Sequence, residues 1–110
     1  MPHAELKYSS DLDVDTSALL ADIERAIQAA DAGSGACKGR AYPATEFYRT
    51  HCLLNVSMLT KPHRDGAFTK ALLSHLETVL RSHLTQPCFL SLGIDYTTDA
   101  YITLQHDPQG

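Results

Sequence analysis

Two long amphipathic segments, each lying between strand-like segments, constrain the fold of this chain more than any other feature. Residues 19–30 carry apolar side chains at helical spacing, and Asp15 or Thr16 can cap the start of that helix. Residues 65–84 repeat the pattern in a second helix. A helix that links two strands of one sheet normally makes a right-handed crossover between parallel strands. The pattern therefore predicts two β-α-β units.

The strand-like segments differ in how many of their faces are apolar. Residues 3–8 and 89–96 alternate between apolar and polar side chains, as half-buried strands do. Residues 50–60 are apolar on both faces, which predicts a central strand. Residues 101–104 could add a last short strand, whereas the stretch from Lys38 to Pro43 looks irregular.

These segments predict an α+β fold with tandem β-α-β units, in which a four-stranded mixed sheet carries two helices on one face. The 110 residues are enough for one domain, spanning residues 1–110. The other sheet face is left bare, and we expect it to carry Leu and Val side chains. Such a face needs cover. Because the chain offers no third layer, we expect self-association.

Composition excludes several classes of function. The net charge of −4 argues against general nucleic-acid binding, which needs a basic footprint. No apolar run is long enough to span a membrane, and no signal-peptide pattern is present. The three cysteines lack paired spacing, which is typical of reduced thiols in a cytoplasmic protein. The six histidines form no metal-binding motif, so the sequence predicts neither a metal nor another cofactor.

The second residue of the chain, Pro2, has chemistry of its own if Met1 is removed during synthesis. Its nitrogen then becomes a secondary amine rather than an amide. A terminal amine has a pKa just below about 8, and neighbouring cations or burial lower it. A base works best when its pKa lies near the operating pH, so Pro2 is a candidate general base. The strand that follows would hold it rigidly.

Three cations are candidates for binding an anionic substrate. Lys38 and Arg40 belong to a Lys-Gly-Arg run that follows the first helix. Arg64 precedes the second helix, where free N–H groups favour anions and an arginine adds a bidentate fork for carboxylates. Arg49 is a further cation that nothing in the sequence distinguishes.

Taken together, these features resemble the 5-carboxymethyl-2-hydroxymuconate isomerase family of the tautomerase superfamily. The resemblance covers most of the chain, and it depends on the order and spacing of several short pieces. They are Met-Pro-His at the start, Tyr8-Ser9, Gly39-Arg40, the strand from Cys52 to Leu59, Arg64, and the strand from Leu90 to Tyr96.

The resemblance implies a homotrimer with three sites near the subunit boundaries. It also implies that Pro2 carries the proton and that arginines hold the substrate carboxylates. Arg64 matches the family's arginine before the second helix, while both Lys38 and Arg40 match the basic run. If Lys38 replaces an arginine, the planar fork is lost. The connection from Tyr42 to Arg49 is shorter than in the family, and the tail after Tyr101 diverges.

The leading hypothesis is a cofactor-free isomerase, similar to the family's delta-isomerase. It would shift a proton along an unsaturated 2-hydroxy or 2-oxo dicarboxylate, with Pro2 as base and Lys38, Arg40 and Arg64 binding this small anionic substrate. A second hypothesis keeps the reaction type and takes a smaller enol, such as that of phenylpyruvate. A third is a trimeric binding module without catalysis.

Overall fold

The computed structural model describes residues 1–109. Its elements, in chain order, are β1 (His3–Ser9), α1 (Thr16–Ala30), a 3₁₀ turn (Ala32–Ser34), β2 (Lys38–Ala44), β3 (His51–Leu59), α2 (Gly66–His83) and β4 (Phe89–Thr97). The strand order in the sheet is β2-β1-β3-β4. β1 and β2 are parallel, β3 and β4 are parallel, and the central pair β1 and β3 is antiparallel. The predicted tandem β-α-β units and mixed four-stranded sheet are confirmed, but α1 leads to β2 rather than to residues 50–60, so the expected parallel arrangement of β1 with that strand is wrong.

Both helices begin at an aspartate cap. Asp15 accepts a hydrogen bond from the Ala18 N–H at 3.1 Å, and Asp65 accepts one from the Phe68 N–H at 2.9 Å. Each cap satisfies an N–H group that the first turn of a helix leaves unpaired. The helices then bury their apolar stripes against one face of the sheet. The largest buried side chains there are Leu6, Leu19, Ile23, Ile27, Leu54, Val56, Met58, Leu72, Leu76 and Leu80.

The fourth strand lies where the sequence looked irregular. Lys38–Ala44 forms β2, although Gly39 and Pro43 both disfavour strands. Pro43 is tolerated because β2 is an edge strand. Gly39 allows α1 to pack closely, since a Cβ at this position would lie 3.1 Å from Leu20 Cδ2. The predicted strand at residues 101–104 is absent, and the tail there follows an irregular path with Ile102 86% exposed.

The sheet face opposite the helices is mostly polar. The expectation that it carries Leu and Val side chains holds for Leu53 and Leu59 and is wrong for Val56. Val56 points toward the helices and is fully buried. Leu53 is on the open face, 37% exposed, between polar neighbours. The polar side chains of this face include His3, Glu5, Lys7, Arg40, Tyr42, Asn55, Ser57 and Asp95. No helix in residues 1–109 is long and apolar enough to cross a membrane.

Candidate active site

A pocket of about 710 Å³ opens beside the start of β1. Met1 and His3 line one side, and Ala36 and Lys38 line the neighbouring side at the start of β2. The C-terminal tail, from Tyr101 to Gln105, completes the wall. The pocket therefore joins the amino terminus, a cation and a partly apolar wall in one place.

Pro2 lies in the chain between Met1 and His3, which both line this pocket. Its side chain is fully buried, and its carbonyl accepts a hydrogen bond of 2.9 Å from the Lys38 N–H. That bond extends the parallel pairing of β1 with β2 back to the first residues of the chain. Pro2 is thus held by both packing and backbone pairing, which gives its nitrogen a fixed position.

The amine at the amino terminus belongs to Met1 in this structure, and its pKa is lowered from the ordinary value. Burial makes the largest contribution, followed by the positive charges of Lys38, Arg64 and Lys61. Cys37 opposes the shift. Cations disfavour a second positive charge nearby, so this end of the fold favours a neutral amine.

Lys38 is the predicted cation that lines the pocket directly. Its Nζ lies 3.4 Å from the Ala36 carbonyl oxygen. Within residues 1–109 no carboxylate forms an ion pair with it. The ammonium group therefore retains donors for an anionic ligand.

Arg40 lies on the open face of the sheet, and three neighbours occupy its guanidinium. Nη2 donates to Glu5 Oε1 at 2.8 Å, and Nε donates to Tyr42 Oη at 2.8 Å. Nη1 lies 3.1 Å from His3 Nδ1. Arg40 is not a lining residue of the pocket, but it contacts His3, which is one.

Arg64 is buried, with its side chain only 3% exposed, and it too is fully engaged. Its Nε and Nη2 donate to Asp31 Oδ2 at 3.0 and 2.8 Å, and its Nη1 donates to the Leu59 carbonyl at 2.8 Å. Asp31 also accepts from Gly33 N–H and contacts His63 Nε2 at 2.8 Å. This cluster ties the end of α1 to the start of α2.

The Asp31 cluster predicts a loss of stability in acid. Hydrogen bonds from His63 and then from Arg64 lower the pKa of Asp31 from 3.8 to about 2. A carboxyl whose pKa is lower in the folded state adds stability that is complete above its unfolded pKa and is lost as the pH falls toward its folded pKa. We expect the unfolding temperature to fall between pH 3.8 and about 2. Asp31→Asn, which cannot titrate, would lack that part of the pH dependence in thermal unfolding.

Of the predicted site residues, Lys38 lines the pocket, and Pro2 is paired with it through the backbone. Arg40 contacts the lining residue His3, and Arg64 lies outside the lining. Two contributors were not anticipated. The sequence analysis considers His3 only as one of six histidines without a metal-binding motif, although its place beside Pro2 is a signal. The tail is predicted as a short strand at residues 101–104 and diverges from the family after Tyr101, and nothing in its sequence indicates that it lines a pocket.

Similar proteins are found only among solved structures, since neither a protein-family model nor a curated protein sequence matches the chain. A 5-carboxymethyl-2-hydroxymuconate delta-isomerase aligns with a TM-score of 0.79 over 96% of this chain and 89% of that one, at 21% identity. The chain has the fold of these isomerases. A second such isomerase, from Deinococcus radiodurans R1, aligns with a TM-score of 0.76 over 96% and 90% of the two chains, at 20% identity.

The same fold occurs in a further solved structure. A fused 4-OT protein, described as a symmetric trimer, aligns with a TM-score of 0.61 over 84% of each chain, at 16% identity. The TM-scores establish the shared fold, and identities of 16–21% establish nothing beyond it. Residue roles must therefore be argued from this chain's own pocket.

Proposed function

We propose that this protein is a cofactor-free isomerase that moves a proton on an unsaturated 2-hydroxy or 2-oxo acid. The observation that carries the proposal is the terminal amine, which lies at a pocket beside Lys38 and has a pKa lowered by burial and three cations. Both muconate isomerases of this fold bear names of that reaction class. Removal of Met1 would give Pro2 the terminal amine.

In this proposal the neutral Pro2 nitrogen takes a proton from the substrate's hydroxyl group or allylic carbon. The same nitrogen then returns a proton to a distant carbon, so the substrate is isomerised and the enzyme is unchanged. Lys38 binds the substrate carboxylate and stabilises negative charge that develops beside it. One preorganised electrostatic contact of this kind contributes about 3 kcal/mol to transition-state stability.

Arg40 and Arg64, the other predicted carboxylate ligands, have internal partners that a substrate would have to replace. Arg40 would leave Glu5, and Arg64 would leave Asp31. Among the three cations, only Lys38 can bind a substrate carboxylate without first breaking an internal ion pair. This favours a substrate with one carboxylate and an apolar body facing Tyr101, such as the enol of phenylpyruvate. The muconate-type dicarboxylate is the competing candidate, supported by the names of the two isomerases.

Ultraviolet ketonisation assays on two substrates separate these candidates. With Met1-free protein, we expect a higher kcat/KM for the phenylpyruvate enol than for 5-carboxymethyl-2-hydroxymuconate, because one free cation serves one carboxylate. A preference for the muconate would show that the arginines exchange partners. Turnover of neither would favour the binding module.

We further propose that the protein is a homotrimer, as the fused 4-OT protein is described. The sheet face opposite the helices, where Lys7 is exposed and Arg40 pairs with Glu5, has no covering layer within residues 1–109 and is available for contact with other copies. Light scattering coupled to size exclusion is expected to give the mass of three chains. The mass of one chain would contradict this assembly.

A further inference from the structure

His3 lies beside Pro2 and has its hydrogen-bonding pattern determined by Arg40. The Nη1 group of Arg40 lies 3.1 Å from His3 Nδ1. A guanidinium has only donors, so Nδ1 must act as the acceptor and carry no proton. The ring is therefore neutral, and its single N–H is at Nε2.

The groups around His3 reinforce that state. Arg40 and Lys38 face it from β2, Glu5 follows it on β1, and Ser57 is its neighbour on β3. Burial, then Lys38, Arg40 and the terminal amine lower the pKa of His3, and Glu5 opposes them. Glu5 itself is bonded to Arg40 Nη2 at 2.8 Å, which holds the guanidinium against the ring.

The Nε2–H of His3 is unused. Within residues 1–109 no protein group pairs with Nε2, whereas Nδ1 is occupied by Arg40. His3 also lines the same pocket as Met1 and Lys38. A donor without a protein partner, on a half-buried residue that lines a pocket, can bond a ligand acceptor, and this residue is adjacent in the chain to Pro2.

We propose that His3, as a neutral imidazole, donates its Nε2–H to the 2-oxo or enol oxygen of the substrate. The inference rests on the proposed function and adds a catalytic residue to it. Pro2 removes the proton from the enol O–H, the O–H electron pair forms the carbonyl, and the C=C pair takes a proton from the Pro2 ammonium. His3 keeps its proton throughout and stabilises the charge on that oxygen, while Lys38 holds the carboxylate.

Paired substitutions of His3 test this role in Met1-free protein. Asn places its amide near the position of Nδ1, whereas Gln reaches the position of Nε2. We expect His3→Asn to lose about 10²-fold in kcat for the phenylpyruvate enol with KM little changed, as removal of an oxyanion donor does. His3→Gln is expected to recover a large part of that loss. His75→Asn, on an exposed position of α2, is the control. Equal kcat for His3→Asn and wild type would overturn the proposal.

Nitrogen-15 NMR of labelled histidine tests the same proposal without turnover. The predicted spectrum at pH 7 shows a bare Nδ1 and a protonated Nε2 for His3, and the Nε2–H signal shifts when phenylpyruvate is added. A ring protonated at Nδ1, or no shift on addition, would overturn the inference. If Met1-free wild-type protein turns over neither substrate yet shows both NMR features, the isomerase proposal fails while His3 remains a ligand-binding donor.

Discussion

Blocking the Pro2 nitrogen is expected to lower the isomerase activity by about 10²- to 10⁴-fold, which is the usual contribution of a positioned acid or base. Blocking converts the amine into an amide, which has no useful basicity. The fold should survive, because Pro2 keeps its buried ring and its carbonyl bond to Lys38.

One preparation can provide both forms for this comparison. A tag that is cleaved directly before Pro2 gives blocked protein before cleavage and a free secondary amine after it, and intact mass identifies each form. Circular dichroism of the two forms checks the fold. Undiminished turnover by the uncleaved form would exclude Pro2 as the base.

The second large effect is expected on stability, at the buried pair of Arg64 and Asp31. Asp31→Asn leaves a guanidinium that is 3% exposed without its counter-charge. Removing one partner of a buried ion pair typically costs about 3–5 kcal/mol. We therefore expect the free energy of unfolding of Asp31→Asn to fall by that amount in urea titration at pH 7.

The exposed pair Arg81 and Glu77 provides the matched control. Its side chains are 73% and 52% exposed, and they lie one turn apart on α2. Pairs of this kind contribute about 0.3–0.5 kcal/mol, so Glu77→Gln should change stability little. A loss in Asp31→Asn no larger than in Glu77→Gln would show that Arg64 does not depend on Asp31.

The sequence predicted the helices and central strands well because their signals are local. Apolar spacing and the caps Asp15 and Asp65 depend on neighbours within one or two turns. β2 escaped prediction because its pairing with β1 and its edge position, which make Gly39 and Pro43 acceptable, are properties of the sheet. The composition of the open face was misjudged because Val56 was not assigned to a side of the sheet.

The sequence likewise predicts one part of the candidate site and not the other. Pro2 and Lys38 could be singled out by residue type and position. The internal partners of Arg40 and Arg64 could not, since Asp31 lies 33 residues before Arg64, and Glu5 lies 35 residues before Arg40. A cation in a sequence predicts a charge, but its availability to a substrate depends on which carboxylates the fold places beside it.

Titration of the Pro2 nitrogen tests the central claim most directly. In Met1-free protein labelled with nitrogen-15 at proline, we predict that this nitrogen titrates below 8.0, the ordinary value for a terminal amine. The neutral amine is the active form, so kcat/KM should rise with pH through that same pKa. A Pro2 nitrogen that titrates at or above 8.0 would contradict the account. So would a kcat/KM that does not change with pH through the pKa of Pro2.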